Sequence, residues 1–434
     1  MNIRQKINQV VFTNKARCRD CHRFVRVCPV KAINVFQAQA FVVDELCIAC
    51  GTCIEECPQG AKSFRKDTEK AREILDEQGS VSASIAPSFA AEYGPEEILR
   101  LPDALRKLGF SYVSETSMGA YYTAEKTKEY ILLKPESTHL CTACPAFVSY
   151  VEKYQPVLVD KLVPVISPII AHAEILKQKH PLTKVIFIGP CVAKKREAFK
   201  PEYENLVDCV LTFTELNEML ASAGIDIGKC QISEFDKDVP GDARYFPLVG
   251  GLLKTAHLET GTVERSVVSV SGHADIMDIL QSIENTQEPL LVEPLFCRQG
   301  CINGPGLNRS DTVFERRKKL MDYVHYKQSQ NSHEKEIIPP SFAFEKQTAF
   351  QKEELPLIRI PSEEEIFTVL KETGHENEED RLNCQTCGYH SCSERVIAVI
   401  NAMAERQMCI PYMRIHAEKK TDSIIETSPN GILI

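Results

Sequence analysis

The chain has 434 residues, of which 43% are hydrophobic and 26% charged, and its formal net charge is −9. This length allows two to four domains, and the acidic balance argues against a nucleic-acid-binding surface. The N-terminus MNIRQKINQVVFTNK has no apolar signal segment, and runs such as LVPVISPII are too short and proline-broken to cross a bilayer. We therefore expect a cytoplasmic protein that binds neither nucleic acid nor a membrane.

Cysteine is unusually frequent, with 18 residues. A reducing compartment makes a disulfide framework unfavourable, so metal clusters are the better expectation. The spacings of the cysteines then indicate which of them act together.

Two cysteine runs repeat in residues 1–78. Cys47, Cys50, Cys53 and Cys57 form C-x2-C-x2-C-x3-C-P, the bacterial ferredoxin run that binds 4Fe-4S clusters. A run 29 residues earlier has the same spacing but a phenylalanine as its third member, and it consists of Cys18, Cys21, Phe24 and Cys28. We predict a two-cluster, ferredoxin-like α+β domain.

Phe24 leaves one of these two sites incomplete. In two-cluster ferredoxins, the fourth cysteine of each run serves the other cluster. One site would then consist of Cys47, Cys50, Cys53 and Cys28, and the other of Cys18, Cys21 and Cys57. The second site has three open interpretations: a 3Fe-4S cluster, a 4Fe-4S cluster with another ligand such as His22, or a labile or absent cluster.

Residues 79–327 alternate short apolar strands with helical segments, which predicts an α/β fold with mainly parallel sheets. The predicted helix ILRLPDALRKLGF places Leu101, Leu105 and Leu108 on one face, with Gly109 as its C-cap. The predicted strands are SVSASIAP, YVSET, KVIFIGP, DCVLTF, RSVVSV and PLLVEPLF.

Four cysteines follow strands in this domain. Cys144 lies in HLCTACPAF, Cys191 follows KVIFIGP, and Cys297 and Cys301 open a Gly/Pro loop after PLLVEPLF. A disulfide between the last two would close a small loop and stabilise little. Because ligands in α/β folds lie at the carboxyl ends of strands, these four cysteines are predicted to hold one buried iron–sulfur cube.

The acidic residues 328–380 are predicted to be a linker with accessory helices, one of which begins at Ser362. Residues 381–414 form a further module, with a helix capped by Ser393 after its third cysteine. Zinc also takes four thiolates, but the spacing C-x2-C-x4-C-x16-C resembles the small 4Fe-4S domain appended to redox and sensory proteins. Its cysteines are Cys384, Cys387, Cys392 and Cys409.

The central cysteine segments resemble, in order, the three signatures of the iron-only ([FeFe]) hydrogenase catalytic domain. They stand here as Thr142 to Pro145, as Pro190-Cys191 with Lys194 and Glu197, and as Glu293 to Gly304. The resemblance covers nearly the whole chain, because a ferredoxin-like head commonly precedes this domain. It implies a hydrogenase catalytic domain of mainly parallel sheets and helices, followed by a small helical 4Fe-4S domain.

The resemblance also implies roles for individual residues. Cys144, Cys191, Cys297 and Cys301 would hold the 4Fe-4S half of the H-cluster, and Cys301 would bridge to a di-iron half with CO, CN and dithiolate ligands. A charge-assisted hydrogen bond would link the family's lysine to a cyanide, with the nearby glutamate orienting that lysine. Further residues around the di-iron unit would be Ala86, Pro87, Ser88, Lys194, Glu197, Ile169 and Leu295.

One departure from the family concerns proton transfer. Ala143 stands where the efficient enzymes carry a second cysteine, and a methyl group neither donates nor accepts a proton. Since acid–base relays contribute about 10²–10⁴-fold, we expect low turnover unless Cys141 or a water substitutes.

Residues 415–434 resemble the linker and first strand of a PAS sensor domain, and a frayed helical tail is the alternative. These patterns together predict a slow hydrogenase of an anaerobe that senses H2 or redox state. Expected partners are H2 and protons, an electron carrier or downstream signalling domain, maturation proteins, and a second copy of the chain. The alternative from another class is an iron–sulfur assembly or scaffold protein, against which the retained Lys194, Glu197 and Cys301 argue.

Overall fold

The computed structural model describes residues 9–236, 241–258, 266–285, 288–330, 348–355 and 359–427. The chain divides into two compact units. Unit 1 consists of Met1–Val10, Ile48–Gly51 and Arg65–Glu353, and unit 2 of Val11–Cys47, Thr52–Phe64 and Glu354–Ile434. Among the helices of the described residues, none combines the length and apolarity needed to cross a bilayer.

The regular elements of the described residues are numbered in chain order. The strands are β1 Val11–Thr13, β2 Ile33–Phe36, β3 Gln39–Val42, β4 Lys62–Phe64, β5 Val81–Ile85, β6 Tyr112–Glu115, β7 His139–Leu140, β8 Lys184–Gly189, β9 Cys209–Thr212, β10 Val267–Ser271 and β11 Leu291–Leu295. The α-helices are α1 Arg23–Val27, α2 Thr52–Glu55, α3 Thr68–Asp76, α4 Phe89–Glu92, α5 Pro95–Lys107, α6 Ser117–Leu133, α7 Pro145–Tyr154, α8 Pro168–Lys179, α9 Lys194–Glu197, α10 Phe213–Ser222, α11 Gly251–Thr255, α12 His273–Asn285, α13 Val313–Gln330, α14 Glu363–Glu372, α15 Cys392–Ile400 and α16 Ile410–Thr427. Short 3-10 helices span Pro156–Lys161, Pro201–Tyr203, Ile227–Lys229, Ala243–Tyr245, Cys301–Asn303, Glu378–Asp380 and Arg406–Met408.

Unit 1 contains two parallel sheets. The larger has the strand order β6-β5-β8-β9, with Ser82 opposite Tyr112 and Val81 opposite Lys184. Every residue of β5 is buried, as expected of a central parallel strand covered on both faces. The predicted α/β class is therefore confirmed, because parallel strands with crossover helices build this unit.

The smaller sheet has the order β10-β11-β7, again parallel. All six predicted strands form, but β7 was not predicted, because two residues give no periodic signal. Helix α5 ends with Leu108 as its C-cap, and Gly109 follows with a φ of 115°. The predicted cap is therefore displaced by one position.

Unit 2 combines the N-terminal antiparallel strand pairs β1–β4 and β2–β3 with helices α14 to α16. Its two chain segments meet directly, because the amide of Val35 donates to the carbonyl oxygen of Met403 at 3.1 Å. The guanidinium of Arg26 also donates to the carbonyl oxygen of Thr386 at 2.8 Å. The sequence placed these segments in separate domains, whereas the structure groups them.

The predicted cap at Ser362 is confirmed, since its hydroxyl accepts from the amide of Glu365 at the start of α14. The predicted cap at Ser393 is wrong: Ser391, in an extended conformation, accepts from the amide of Glu394 instead. Helix α16 continues across the predicted boundary between residues 414 and 415. The PAS-like prediction also covers residues 428–434, which lie outside the described residues.

Candidate iron–sulfur sites

Three loops of unit 1 carry the four central cysteines. Cys144 is the N-cap of α7, and Cys191 lies two residues after β8. Cys297 follows β11, and Cys301 begins a 3-10 turn on the same loop. Each loop follows a parallel strand, so the predicted placement at strand ends is observed.

Backbone amides point at these thiols. Burial raises the pKa of the Cys144 thiol, and hydrogen bonds from the amides of Phe296, Phe147 and Ala146 oppose part of that rise. The amides that follow Cys191 do the same for its own thiol. N–H groups directed at cysteine sulfur favour the thiolate form that metal ligation requires, so the donor set fits an iron–sulfur cluster.

Three of the four thiols form one electrostatic group. Burial and then the neighbouring Cys144 raise the pKa of Cys191 to about 11. The pKa of Cys301 is also raised, by burial and then by Cys191 and Cys144. Lys194 opposes the shift at each of these thiols. The structure therefore brings these three together, and Cys297 lies on the same loop as Cys301 with the same partial exposure as the other three.

Gly300 fixes the shape of that loop. Its φ is 90°, and a Cβ at this position would lie 2.4 Å from the carbonyl oxygen of Pro247. The same carbonyl accepts from the amide of Cys301 at 2.8 Å. A side chain at position 300 would push away the backbone that holds Cys301, which explains the glycine between the two cysteines.

Lys194 is buried, and its ammonium has three oxygen partners. It donates to Glu197 Oε2 at 2.7 Å, to Ser167 Oγ at 2.9 Å and to the carbonyl oxygen of Ala143 at 3.4 Å. The predicted pairing with Glu197 on α9 is thus observed. The ammonium is held beside Cys144, Cys191 and Cys301 as a fixed positive charge.

The next residue, Lys195, anchors α9 from the opposite side. Its side chain is fully buried and donates to Asp67 Oδ2 at 2.9 Å and to the carbonyl oxygen of Val210 at 2.7 Å. It also lies 2.9 Å from Glu215 Oε2. Lys195 was not among the predicted site residues, because two adjacent lysines give no sign of which one faces the core.

A cavity of about 80 Å³ adjoins the cysteine group. The hydroxyl oxygen of Ser88 in its wall is buried and has no hydrogen-bond partner among the described residues. Cys191, Lys194 and Cys301 line the cavity, together with Ala86, Pro87, Ser88, Ala143, Ile169 and Leu295. The structure thus gathers around one space the residues that the hydrogenase resemblance placed near a di-iron unit.

Ala143 lies in this wall, whereas Cys141 does not. Cys141 packs with Ala124, Phe246 and Leu252, and burial raises the pKa of its thiol well above the usual value. A thiol in such surroundings stays protonated and inert. Cys141 therefore does not occupy a position from which it could replace the missing proton relay.

The N-terminal cysteines lie in unit 2, except for Cys50 in the segment Ile48–Gly51. Burial and then the neighbouring Cys47 raise the pKa of Cys28 to about 11. The amide of Ala32 donates to Cys28 Sγ at 3.3 Å, and the amide of Ala61 to Cys57 Sγ at 3.1 Å. These donors again suit thiolate ligands.

The position of the missing third cysteine is filled by the Phe24 ring, which is buried. The ammonium of Lys62 lies 4.6 Å from the centre of this ring, a cation–π contact. Cys53 and Cys18 are among the thiols whose charge raises the pKa of Lys62 against the larger lowering by burial. The alternative ligand His22 has its Nε2 3.1 Å from Asp20 Oδ1.

At the C-terminal module, Cys387, Cys392 and Cys409 are electrostatic neighbours, and Cys384 is exposed. Burial raises the pKa of Cys409, while Arg395 lowers it. Across all described residues, no three His, Cys, Asp or Glu side chains are arranged to hold a single metal ion.

Comparisons with known families agree with the cysteine patterns. The model of the iron only hydrogenase large subunit, C-terminal domain, matches residues 79–305, more than half of the chain. A 4Fe-4S dicluster domain model matches residues 10–72, and an Fe-S cluster model matches residues 380–411. Binding of 4Fe-4S clusters is supported by these matches.

Related proteins carry two kinds of name. The cytosolic Fe-S cluster assembly factor NAR1 of Kluyveromyces lactis is 32% identical over 44% of this chain and 44% of its own length. The NADP-reducing hydrogenase subunit HndD of Solidesulfovibrio fructosivorans is 25% identical, over 67% of this chain and 62% of its own length. The probable cytosolic Fe-S cluster assembly factor oxy-4 of Caenorhabditis elegans is 26% identical, over 63% of this chain and 73% of its own length. The chain thus spans less than two thirds of the first two relatives.

The prediction of a hydrogenase enzyme with low turnover is contradicted by these relatives. Two of the three are named as cluster assembly factors, and one of these has the highest identity of the three. The physical reason lies in the cavity wall, where Ala143 offers no proton-transferring group and Cys141 is absent.

A solved structure described as [FeFe]-hydrogenase HydA(deltaEFG) superposes with a TM-score of 0.51 at 16% identity, covering 66% of this chain and 99% of that one. This likeness concerns the fold alone. With the family match over residues 79–305, it leads to one conclusion: the chain belongs to the iron-only hydrogenase large-subunit family.

Proposed function

We propose that this chain is an iron–sulfur protein of the assembly or scaffold type, which binds 4Fe-4S clusters and transfers clusters or electrons to other proteins without turning over H2. The observation that carries this proposal is the cavity beside Cys191 and Cys301. Ala143 stands in its wall, and the ammonium of Lys194 is already engaged by Glu197, Ser167 and a backbone carbonyl. No free acid–base pair is therefore available there among the described residues.

The central cysteines would hold one cube on this account. Lys194 then acts as a counter-charge to the cube, because its positive charge opposes the rise that burial causes in the pKa of Cys144, Cys191 and Cys301. This role also explains why Lys194 and Glu197 are kept in a protein without hydrogenase activity. A 4Fe-4S cluster supplies one-electron redox chemistry when bound. The chain's own residues hold it, neutralise its charge and exclude water.

The other cysteine sets would bind further clusters. Cys47, Cys50, Cys53 and Cys28 are proposed to hold one in the N-terminal domain, and Cys384, Cys387, Cys392 and Cys409 one at the C-terminal module. The partners would be a recipient or maturation protein and an electron carrier, and a second copy of the chain remains a prediction. We place the protein in the cytoplasm, as the names of the two assembly-factor relatives suggest.

The test is a transfer assay on anaerobically reconstituted full-length protein. Cluster delivery to an apo-ferredoxin is followed by circular dichroism, and H2 evolution from reduced methyl viologen is measured by gas chromatography. We expect cluster transfer, and H2 at background. Cys301→Ser should lower the iron content and the transfer, whereas Cys230→Ala, a buried thiol outside every cysteine set, should change neither. H2 evolution that depends on Cys301 would overturn the proposal.

A second candidate function rests on the cavity itself. About 80 Å³ of space and the unpartnered Ser88 hydroxyl suit a small polar ligand, such as a di-iron unit with CO and CN. The chain would then sense H2 or redox state through that unit without catalytic turnover. Infrared spectra of protein matured with the di-iron unit decide this: CO and CN bands that shift under H2 support the sensor, and the lack of bands removes it.

A further inference from the structure

A buried arginine at the C-terminal module lacks a counter-ion. Arg395 on α15 is 1% exposed. Its Nη2 donates to Thr373 Oγ1 at 2.9 Å, but its Nε and Nη1 are buried without a hydrogen-bond partner among the described residues. Burying a guanidinium with two unpaired donors is strongly unfavourable unless an anion faces it.

The cysteine thiol of Cys409 is an electrostatic neighbour of Arg395. Cys409 lies close enough for Arg395 to lower its pKa, and Cys387 and Cys392 are electrostatic neighbours of Cys409. Glu394, the next residue on the helix, instead accepts from the amide of His390 at 3.0 Å. Within the described part of the chain, no carboxylate forms an ion pair with Arg395.

His375 connects the same two groups. Its Nε2 lies 3.5 Å from Cys409 Sγ, and its Nδ1 lies 3.2 Å from Thr373 Oγ1. Thr373 in turn accepts from Arg395. Arginine, threonine and histidine therefore form one hydrogen-bonded chain that ends on a cysteine sulfur.

We propose that Arg395 and His375 are positioning residues of the C-terminal cluster, supplying its counter-charge and an N–H···S contact and thereby raising its reduction potential. Reduction adds a negative charge to the cluster, and a buried cation favours the more negative state. On this proposal, the two nitrogens of Arg395 without a protein partner serve the cluster. This inference concerns the cluster of residues 380–411 and does not rest on the assembly function proposed above.

The test is a redox titration of the reconstituted full-length protein followed by EPR. The C-terminal signal is identified by its loss in Cys392→Ser. In Arg395→Met we expect the midpoint potential to fall by about 59 mV or more, which is a tenfold shift for one electron. His375→Gln should lower it by less, and Arg395→Lys should keep most of the wild-type value.

Arg406→Met is the matched control. Arg406 belongs to the same module but is exposed and paired with Glu372 at 2.6 Å, so its removal should leave the potential unchanged. An unchanged potential in Arg395→Met with full iron content would overturn the proposal. If Arg395→Met loses its iron, retention of iron in Arg395→Lys supports the counter-charge role, and loss of iron in both variants refutes it.

A separate observation links this module to the Cys28 segment within unit 2. The ammonium of Lys31 donates to the carbonyl oxygens of Val25 at 2.9 Å and Gly388 at 2.7 Å. Burial lowers the pKa of Lys31, and the charges of Cys28, Glu394 and Cys387 oppose that lowering. One cation is thus shared by two cysteine sites.

We infer that Lys31 couples the potentials of the clusters at these two sites. In Lys31→Met both midpoint potentials should fall together, whereas Lys371→Met, which removes an exposed partner of Glu376, should move neither. The same EPR titration measures both. A shift confined to one cluster, or no shift at all, would contradict the coupling.

Discussion

Replacing Lys195 by methionine tests the network that anchors the Cys191 loop. The ammonium of Lys195 is fully buried between Asp67 and Glu215, and it also donates to the carbonyl oxygen of Val210. Glu215 is held in turn by the amide of Asp67 at 2.7 Å. Methionine fills a similar volume but leaves two carboxylates facing each other without the shared cation.

The cost follows from this geometry. Breaking a buried pair by removing one partner typically costs about 3–5 kcal/mol. Arg65 still lies 2.9 Å from Asp67 and compensates one of the two carboxylates. We therefore expect a loss of about 3 kcal/mol in the free energy of unfolding, which raises the unfolded fraction more than a hundredfold at about 1.4 kcal/mol per tenfold.

Urea unfolding of the reduced protein, followed by circular dichroism, measures this loss. Lys318→Met is the control, since Lys318 forms an exposed pair with Asp322 and should cost less than about 0.5 kcal/mol. In the double variant Lys195→Met/Glu215→Gln, part of the loss should be recovered, because one stranded carboxylate is gone. A cost below about 1 kcal/mol for Lys195→Met, or strict additivity in the double variant, would refute the reasoning.

Two buried titratable groups predict opposite pH dependences of stability. Burial lowers the pKa of His172 from 6.5 to about 3, so the folded state binds fewer protons and stability is lost as the pH falls below about 6.5. In His172→Gln, the loss in free energy of unfolding between pH 7 and pH 4, measured from urea midpoints, should be smaller by up to about 3 kcal/mol. An equal loss in the variant and the wild type would contradict this prediction. Burial raises the pKa of Glu293 from 4.5 to about 7, so stability falls as the pH rises through that interval, and Glu293→Gln should flatten the same plot. A Glu293→Gln profile that still falls between pH 4.5 and 7 would assign the slope to other groups.

The fold of unit 1 could be predicted because its signal is local. Short apolar runs separated by helical segments define β5, β6 and β8 to β11, and the observed strands fall inside the predicted runs except that β10 extends one residue further, to Ser271. The joining of the two termini in unit 2 could not be predicted. Arg26 and Thr386 are 360 residues apart, and no sequence pattern around either residue predicts that the two are in contact.

The candidate sites also have a part that could be predicted from the sequence and a part that could not. Cysteine spacing identifies ligands because a cluster needs thiolates at short, fixed separations, and Cys144, Cys191 and Cys301 do come together. The charged side chains that shift the pKa of those thiols do not occur at fixed separations from the cysteines in the sequence. Arg395 sits beside Val396 in an amphipathic helix, where an arginine normally faces solvent, so its burial depends on tertiary packing.

Ala143 offers a way to separate the two candidate functions. A thiol at this position would face the cavity beside Cys301, where the methyl group of Ala143 can neither donate nor accept a proton. If the chain only carries cubes, Ala143→Cys leaves H2 evolution at background, because a proton relay without a metal-bound acceptor has nothing to act on. If the chain binds a di-iron unit as a sensor, the new thiol should raise H2 evolution of matured protein by about 10²–10⁴-fold.

Ala120→Cys is the control for this experiment, since Ala120 lines the same cavity on another wall. Both variants add one thiol of equal size to the same space, so a general effect of the thiol on packing or maturation would appear in both. Gas chromatography on matured and unmatured protein provides the comparison. A rise confined to matured Ala143→Cys would contradict the assembly proposal, and background H2 in all four samples would support it.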